Sequence, residues 1–311
     1  MMDTAILATP RPFIAATEVW LPSGDRLVHG GGDYADLTAF EAASIRQSFA
    51  RGEGLPGKAW DEERPVVLKS FDGSYFLRAE AAREAGLTAA VALPVFDGKK
   101  LLAVLVVLCA GDETATGAIE VWRGQDGLLM LADGYYGAAR QFEWVSQHTH
   151  FPKGQGLPGG VWAARAPILM RDLGSGYSFI RSESAGAAGL STGLGLPVPL
   201  PGDDSCVVTL LSAAGTPIAH RFEIWDARAA RVGAAGGAEL TDGICDRDGP
   251  LWDEDNPPRV QVWQGPIGQV LGTGLPVVLS GRPGLAAGYN LMVALPIHRD
   301  GELSHIVAWY I

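Results

Sequence analysis

No apolar run in this 311-residue chain approaches the roughly 20 residues that a membrane-crossing helix needs. The longest, from Leu101 to Ala110, has the length of a strand. No run of four or more Lys and Arg occurs, and the net charge is −11. Phosphate backbones demand clustered cations, so a nucleic-acid partner is excluded. Cysteine is scarce: Cys109, Cys206 and Cys245 have no close spacing, which excludes a disulfide framework or a Cys-rich metal site. Cys109 and Cys206 are expected as small buried thiols in a reducing setting. Residues 1–12 show no basic stretch followed by an apolar core, so no secretory leader is expected and the location is read as cytoplasmic. The histidines do not recur at matching positions. His148 and His150 stand two apart with no third ligand evident, so they are read as a polar cluster at a helix end, and no metal is expected.

What is present is a repeat. Glu18-Val19-Trp20 returns as Glu120-Val121-Trp122 and as Glu223-Ile224-Trp225, 102 and then 103 residues further on. Gly54-Leu55-Pro56-Gly57 returns as Gly156-Leu157-Pro158-Gly159 and, worn, as Gly265-Pro266-Ile267-Gly268. Ala92-Leu93-Pro94-Val95 returns as Gly195-Leu196-Pro197-Val198 and Ala294-Leu295-Pro296-Ile297. Ordered landmarks at near-constant spacing point to a tandem array of one small domain. The expected divisions are 1–112, 113–215 and 216–311. Each unit is large enough to bury a modest core of its own.

Within the first unit, 15–21 reads as a strand and Pro22-Ser23-Gly24-Asp25 as a turn into a returning strand. Asp36 is a candidate N-cap for a helix over 37–49, with Leu37, Phe40, Ile45 and Phe49 on one face. A glycine-punctuated loop, a short helix at 57–60, a short strand at 65–68 and a second short helix at 76–85 follow. A closing hairpin spans 89–95 and 101–109 across Asp97-Gly98. The order predicts an α+β fold of antiparallel sheets flanked by short helices. One face of the sheet is expected to meet the 37–49 helix and the other the segments around Trp60 and Phe76. The second unit follows closely, with its helix expected over 136–151. The third is degenerate. Gly236-Gly237, Pro250 and Pro257-Pro258 bar a regular helix over 231–263. Pro276 to Pro296 is also nine residues shorter than Pro65 to Pro94, so the 76–85 segment is largely lost there.

Residues 49–95 resemble the GAF domain family of small sensory modules. The residues that carry the resemblance are Phe49, Gly52, Gly54, Leu55, Pro56, Gly57, Trp60, Pro65, Phe76, Arg78, Gly86, Leu87 and Leu93-Pro94-Val95. The second unit repeats the whole set from Phe151 to Val198. The resemblance implies small-molecule sensing, with transmission to partners through long terminal helices. Those helices and an output domain are not expected in this sequence. Some members reduce free methionine sulfoxide with paired thiols, and others attach a bilin to a pocket cysteine. The cysteines here stand elsewhere, so neither chemistry is expected.

Gly52-x-Gly54-x-x-Gly57 matches a dinucleotide fingerprint in letters, but a helix rather than a strand is expected before it. Its glycines are read as serving a tight loop. Arg78 and Glu80, repeated as Arg181 and Glu183, are the candidate polar site. One reading puts an arginine at a pocket mouth against an anionic ligand. The other ties it to its own loop, as Arg181 to Asp172. Trp60 and Trp162, with Phe76 and Phe179, are candidates to wall a cavity. The Glu-Val-Trp glutamates are expected in inter-unit contacts or on a solvated face. The function expected is non-catalytic small-molecule sensing in the first two units, with the third as a cap. A protein-interaction scaffold without ligand is the alternative. A protein partner or a second copy of the chain is admitted, and ligand and cofactor are left unknown.

Overall fold

The computed structural model describes residues 12–110, 115–175, 179–203, 205–228, 236–247, 251, 256–281, 285–286 and 288–311. Three six-stranded antiparallel sheets account for nearly half of them. The first contains β1 (Ile14–Ser23), β2 (Arg26–Asp33), β3 (Ser48–Ala50), β4 (Val66–Leu68), β5 (Leu87–Asp97) and β6 (Lys100–Ala110) in the order β3-β2-β1-β6-β5-β4. The second holds β7 (Thr116–Gln125), β8 (Leu128–Gly137), β9 (Phe151–Pro152), β10 (Ile168–Met170), β11 (Leu190–Pro197) and β12 (Val207–Ala213). The third holds β13 (Arg221–Asp226), β14 (Gly237–Cys245), β15 (Arg259–Gln261), β16 (Val277–Ser280), β17 (Leu291–Arg299) and β18 (Glu302–Tyr310). All three share one topology. Trp20, Trp122 and Trp225 each stand on the first strand of a sheet, and each marks the same β-bulge against the second strand. The expected α+β fold of three antiparallel sheets with short helices is therefore the one found. The expected division at 112/113 lies outside the described residues.

The helices are short: α1 (Thr38–Ile45), α2 (Gly54–Asp61) and α3 (Ala79–Glu84) in the first unit, α4 (Arg140–Gln147), α5 (Gly156–Ala164) and α6 (Ser182–Ala187) in the second, and α7 (Gly265–Thr273) in the third. Two expected helices are too long. The 37–49 helix ends at Ile45, and Phe49 lies instead on edge strand β3, paired with Leu27. The 136–151 helix likewise gives way to β8 at its start and to β9, carrying Phe151, at its end. Nine positions are two and a half helical turns, so a continued helix would carry Phe49 to the face opposite Phe40, whereas the edge of β2 offers backbone partners and keeps Phe49 in the core. In the third unit no helix occurs among the described residues between α7 and β17, nor between 236 and 263.

The glycine motif has a steric explanation that repeats. A Cβ on Gly57, Gly159 or Gly268 would stand 2.1, 2.2 or 2.3 Å from the carbonyl oxygen of Ala50, Pro152 or Gln261. The Gly57 carbonyl in turn accepts the amide of Gly52 at 2.8 Å. The motif seats a helix start on an edge strand and follows no strand of a parallel unit, so the dinucleotide letters are coincidental.

Strand alternation divides each sheet into two faces. On β7, Ala118, Glu120 and Trp122 turn toward the helices of their own unit, where they join Phe142, Phe151, Leu157 and Phe179. Ile119 and Val121 turn the other way, into a core shared with Val208, Leu210, Val293, Leu295, Val307, Trp309 and the first unit. Helix and loop segments thus cover the same face, correcting the expectation of one on each. The other face is covered by the neighbouring units. The chain closes head to tail: β4 lies against β8, β10 against β13, and β16 against β1 and β2. A heterologous contact repeated with a rotation that closes makes a ring. Polar bridges span its seams. Lys69 meets Asp133 at 2.9 Å and Glu143 at 3.5 Å, Arg171 meets Asp242 at 2.7 Å, and Asp33 hydrogen-bonds Ser280.

Candidate functional site

The candidate arginines lie under the short helices, not at a rim. Arg78 and Arg181 are 4% and 3% exposed, and Glu18 and Glu120 are fully buried. Arg181 Nη2 donates to Glu120 Oε2 at 3.0 Å, while Nη1 donates to Glu120 Oε1 and to Ser146 Oγ. Trp122 Nε1, Tyr136 Oη and Thr209 Oγ1 also donate to Glu120, at 3.1, 3.1 and 2.8 Å. The guanidinium carbon lies 4.6 to 5.5 Å from the ring centres of Phe142, Phe179, Trp122 and Phe151. The first unit repeats this with Arg78, Glu18, Ser44, Tyr34 and Trp20, ringed by Phe40, Phe49 and Phe76. Burial alone would push both carboxyls up. The adjoining arginine charge and the donated hydrogen bonds outweigh it and hold them below the usual carboxylate range. Arg181 therefore pairs with Glu120 and not with Asp172. The Glu-Val-Trp glutamates lie inside their own units, which corrects the expectation of inter-unit contact or solvation.

The remaining candidates separate into two groups. Phe76 and Phe179 are buried beside the arginines. Trp60 and Trp162 pack half-buried at the edge of the same cores, with Lys153 5.1 Å from the Trp162 ring centre. Glu80 and Glu183 are exposed in the first turns of α3 and α6, away from the buried pairs. The space beneath each helical cover is thus occupied by the protein's own guanidinium and aromatic rings.

In the third unit Glu223 keeps its tryptophan partner, with Trp225 Nε1 donating at 2.9 Å. Its cation arrives from another place. Arg221, two residues earlier on the same strand face, donates Nε to Glu223 Oε1 at 2.8 Å and stacks 4.9 Å from the Tyr310 ring centre. Met292 and Ile267 are buried in this core, and Leu285 packs against it.

Two of the three thiols are buried in apolar surroundings that disfavour the thiolate. Burial pushes Cys109 far up, and pushes Cys206 up to about 12. Cys245 lies 2.9 Å from Tyr289 Oη. No cluster of three metal-ligating side chains occurs among the described residues, and none of their helices is long and apolar enough to cross a membrane.

An open cavity of about 380 Å³, which no sequence motif marks, lies where the units meet. Its lining comes from the tips of the last hairpins of all three sheets: Gly98 and Lys99, residues 197–203, and residues 297–301. Val161 and Arg165, at the end of α5, complete it. The floor is apolar, from Val161, Val198, Leu200 and Ile297 with Pro197 and Pro199. Below it the three Leu-Pro hairpins converge on a narrow gap of about 30 Å³. The repeated Leu-Pro motif was the available signal, but nothing in its spacing says that the three copies face one another.

The sequence of residues 15–122 is matched by the GAF domain family model. A comparison with curated proteins found no match. Among solved structures, a GAF domain from A. aeolicus in an inactive state is similar at 17% identity over 32% of this chain, with a TM-score of 0.27. The GAF domain/HD domain protein from Geobacter sulfurreducens is similar at 10% identity over 31%, TM-score 0.27. The free methionine-R-sulfoxide reductase from Neisseria meningitidis, solved with its substrate, is similar at 17% identity over 31%, TM-score 0.25. The chain spans 59%, 63% and 52% of these three structures' own lengths.

Proposed function

We propose that this protein binds a small molecule without catalysis: residues 15–122 match the GAF domain family model, and members of that family are generally ligand-binding and signalling modules. In this reading the ligand site is the cleft at the junction of the units. Arg78 and Arg181 hold the α3 and α6 segments onto their sheets and take no part in binding. The carrying observation is the contrast in occupancy: both under-helix spaces are filled by buried ion pairs, whereas the junction presents about 380 Å³ of open volume. Small-molecule sites run from about 300 to 1,000 Å³, with an apolar lining and few polar groups. Cys109 and Cys206, held protonated by burial, supply no thiolate for reductase chemistry.

Native mass spectrometry of the freshly purified full chain, followed by structure determination with whatever co-purifies, tests the reading. A small molecule seated between the hairpin tips supports it. A ligand found between Arg181 and Glu120, or turnover of free methionine sulfoxide, overturns it. The scaffold reading has its own observation. Leu77 and Ile180, at matching places one residue before the arginines, are 52% and 54% exposed, with Ile45 and Trp144 similarly bare on α1 and α4. A protein partner whose binding is lost in Leu77→Ser and Ile180→Ser, with no small molecule in the cleft, would favour it.

A further inference from the structure

We propose that the junction cleft takes a small amphipathic anion: a carboxylate or phosphate head held by Arg165 and Arg299, with an apolar body on the Pro/Val/Leu/Ile floor. The inference rests on the cleft being the ligand site. The two guanidinium groups come from different units and already share one carboxylate. Asp300 Oδ1 stands 3.8 Å from Arg165 Nη2, and Asp300 Oδ2 stands 3.2 Å from Arg299 Nε. Two arginines within 4 Å of one carboxylate concentrate positive charge on a single anionic group, whether that group is internal or external. Asp300 is well suited to yield. Its side chain is 71% exposed, more than twice as bare as that of Arg299 at 32%, and it sits at the hairpin tip. An ion pair so exposed is weak, so an incoming anion with apolar burial behind it competes on favourable terms.

Lys99 adds a third cation from the first unit on the same lining. The other acidic side chain there, Asp203, is already committed to Arg123 at 3.0 Å and to Ser205. His298 Nε2 is engaged with the Gly274 carbonyl at 2.9 Å. The backbone at Arg165 follows the repeat. It adopts φ +51°, at the place nine residues after the helix-starting glycine where the third unit has Gly274 at φ +68°. A left-handed conformation disfavours a long side chain, and glycine would fill the position without strain. Glu63 holds the same place in the first unit at φ +50°, so the conformation belongs to the repeat, and in the second unit the side chain it carries lines the cleft.

The test titrates the full chain with hexanoate, hexan-1-ol and inorganic phosphate, read by the methyl NMR signals of Val161, Val198, Leu200 and Ile297 and by calorimetry. Hexanoate is expected to move these methyl signals and to bind at least tenfold more tightly than hexan-1-ol. Arg165→Gly keeps the backbone unstrained and should remove that tenfold difference. Asp300→Asn, which keeps a residue tolerant of positive φ, should tighten hexanoate severalfold by removing the internal competitor. Phosphate that competes with hexanoate and needs Arg165 extends the head group to phosphate. Phosphate without effect restricts it to carboxylate. Equal binding of hexanoate and hexan-1-ol at these methyl groups overturns the anion assignment while leaving the cleft as a ligand site. No response of the methyl signals to any of the three overturns both readings. An unchanged or weaker affinity in Asp300→Asn overturns the competitor role.

Discussion

The second and third units solve one problem in two ways. Each buries a glutamate two residues before a strand tryptophan, and each must neutralise it. The second brings Arg181 across 61 residues of sequence, from the segment that covers the sheet. The third has shortened that segment and takes Arg221 from the same strand, two residues away. Arg181 is enclosed by four aromatic rings, whereas Arg221 keeps about a fifth of its side chain exposed. The carboxylate and its tryptophan partner are therefore the fixed element, and the cation can come from anywhere that reaches them. The remote arginine also ties the α6 segment to the sheet, while the local one packs against Tyr310 on the neighbouring strand β18.

The largest effect expected follows from that difference. Arg181→Ala leaves Glu120 buried without its cation and should cost about 3–5 kcal/mol in urea unfolding of the full chain. Arg221→Ala, where water reaches the site, should cost about 1–2 kcal/mol. Equal losses would dissolve the comparison. The double variant Arg181→Met/Glu120→Gln should recover at least half of the single-variant loss, because no buried charge is left alone. Failure to recover would mean that the aromatic packing, not the charge pair, carries the stability.

A pH effect belongs to the third unit. Burial, reinforced by the charge of Arg228, holds His305 down to about 4 against an ordinary 6.5. Above 6.5 it is neutral whether folded or unfolded. Between 6.5 and 4 the unfolded chain binds the proton more readily, so stability falls with acidification by up to about 3 kcal/mol. His305→Gln should flatten that slope in denaturant melts at pH 7 and pH 4.5, and an unaltered slope would assign the acid loss elsewhere. The smallest expected effect concerns the thiols. Under native conditions a thiol reagent should modify Cys245 before the buried Cys109 and Cys206, and Cys245→Ala should change stability by no more than about 1 kcal/mol. Early modification of Cys109 would mean that the shared core opens readily.

Much of the fold was legible because the repeat exposes it. Three tryptophans at equal spacing do occupy one strand position, and three glycine motifs do seat three helix starts. Helix ends were less legible, since Leu37, Phe40 and Ile45 set a helical period and no Gly or Pro marks its stop before Phe49, although Phe49 falls opposite Phe40 on a helix. The arginines were picked out from sequence. Their buried partners were not, because Glu18 and Glu120 read as exposed polar residues in an alternating strand, and nothing local announces a cation 60 residues away.

What the sequence determined by itself was local and periodic: strand alternation, turn glycines, the triple repeat and its worn third copy. These follow from backbone sterics and side-chain period, which act over a few residues. Tertiary structure alone decided what each sheet face meets. The Glu120 face meets its own helices, and the Val121 face meets the other two units, because only a closed ring buries both faces of every sheet. The junction cleft is a product of that closure. It draws Lys99, Arg165 and Arg299 to one place from positions that no spacing rule connects.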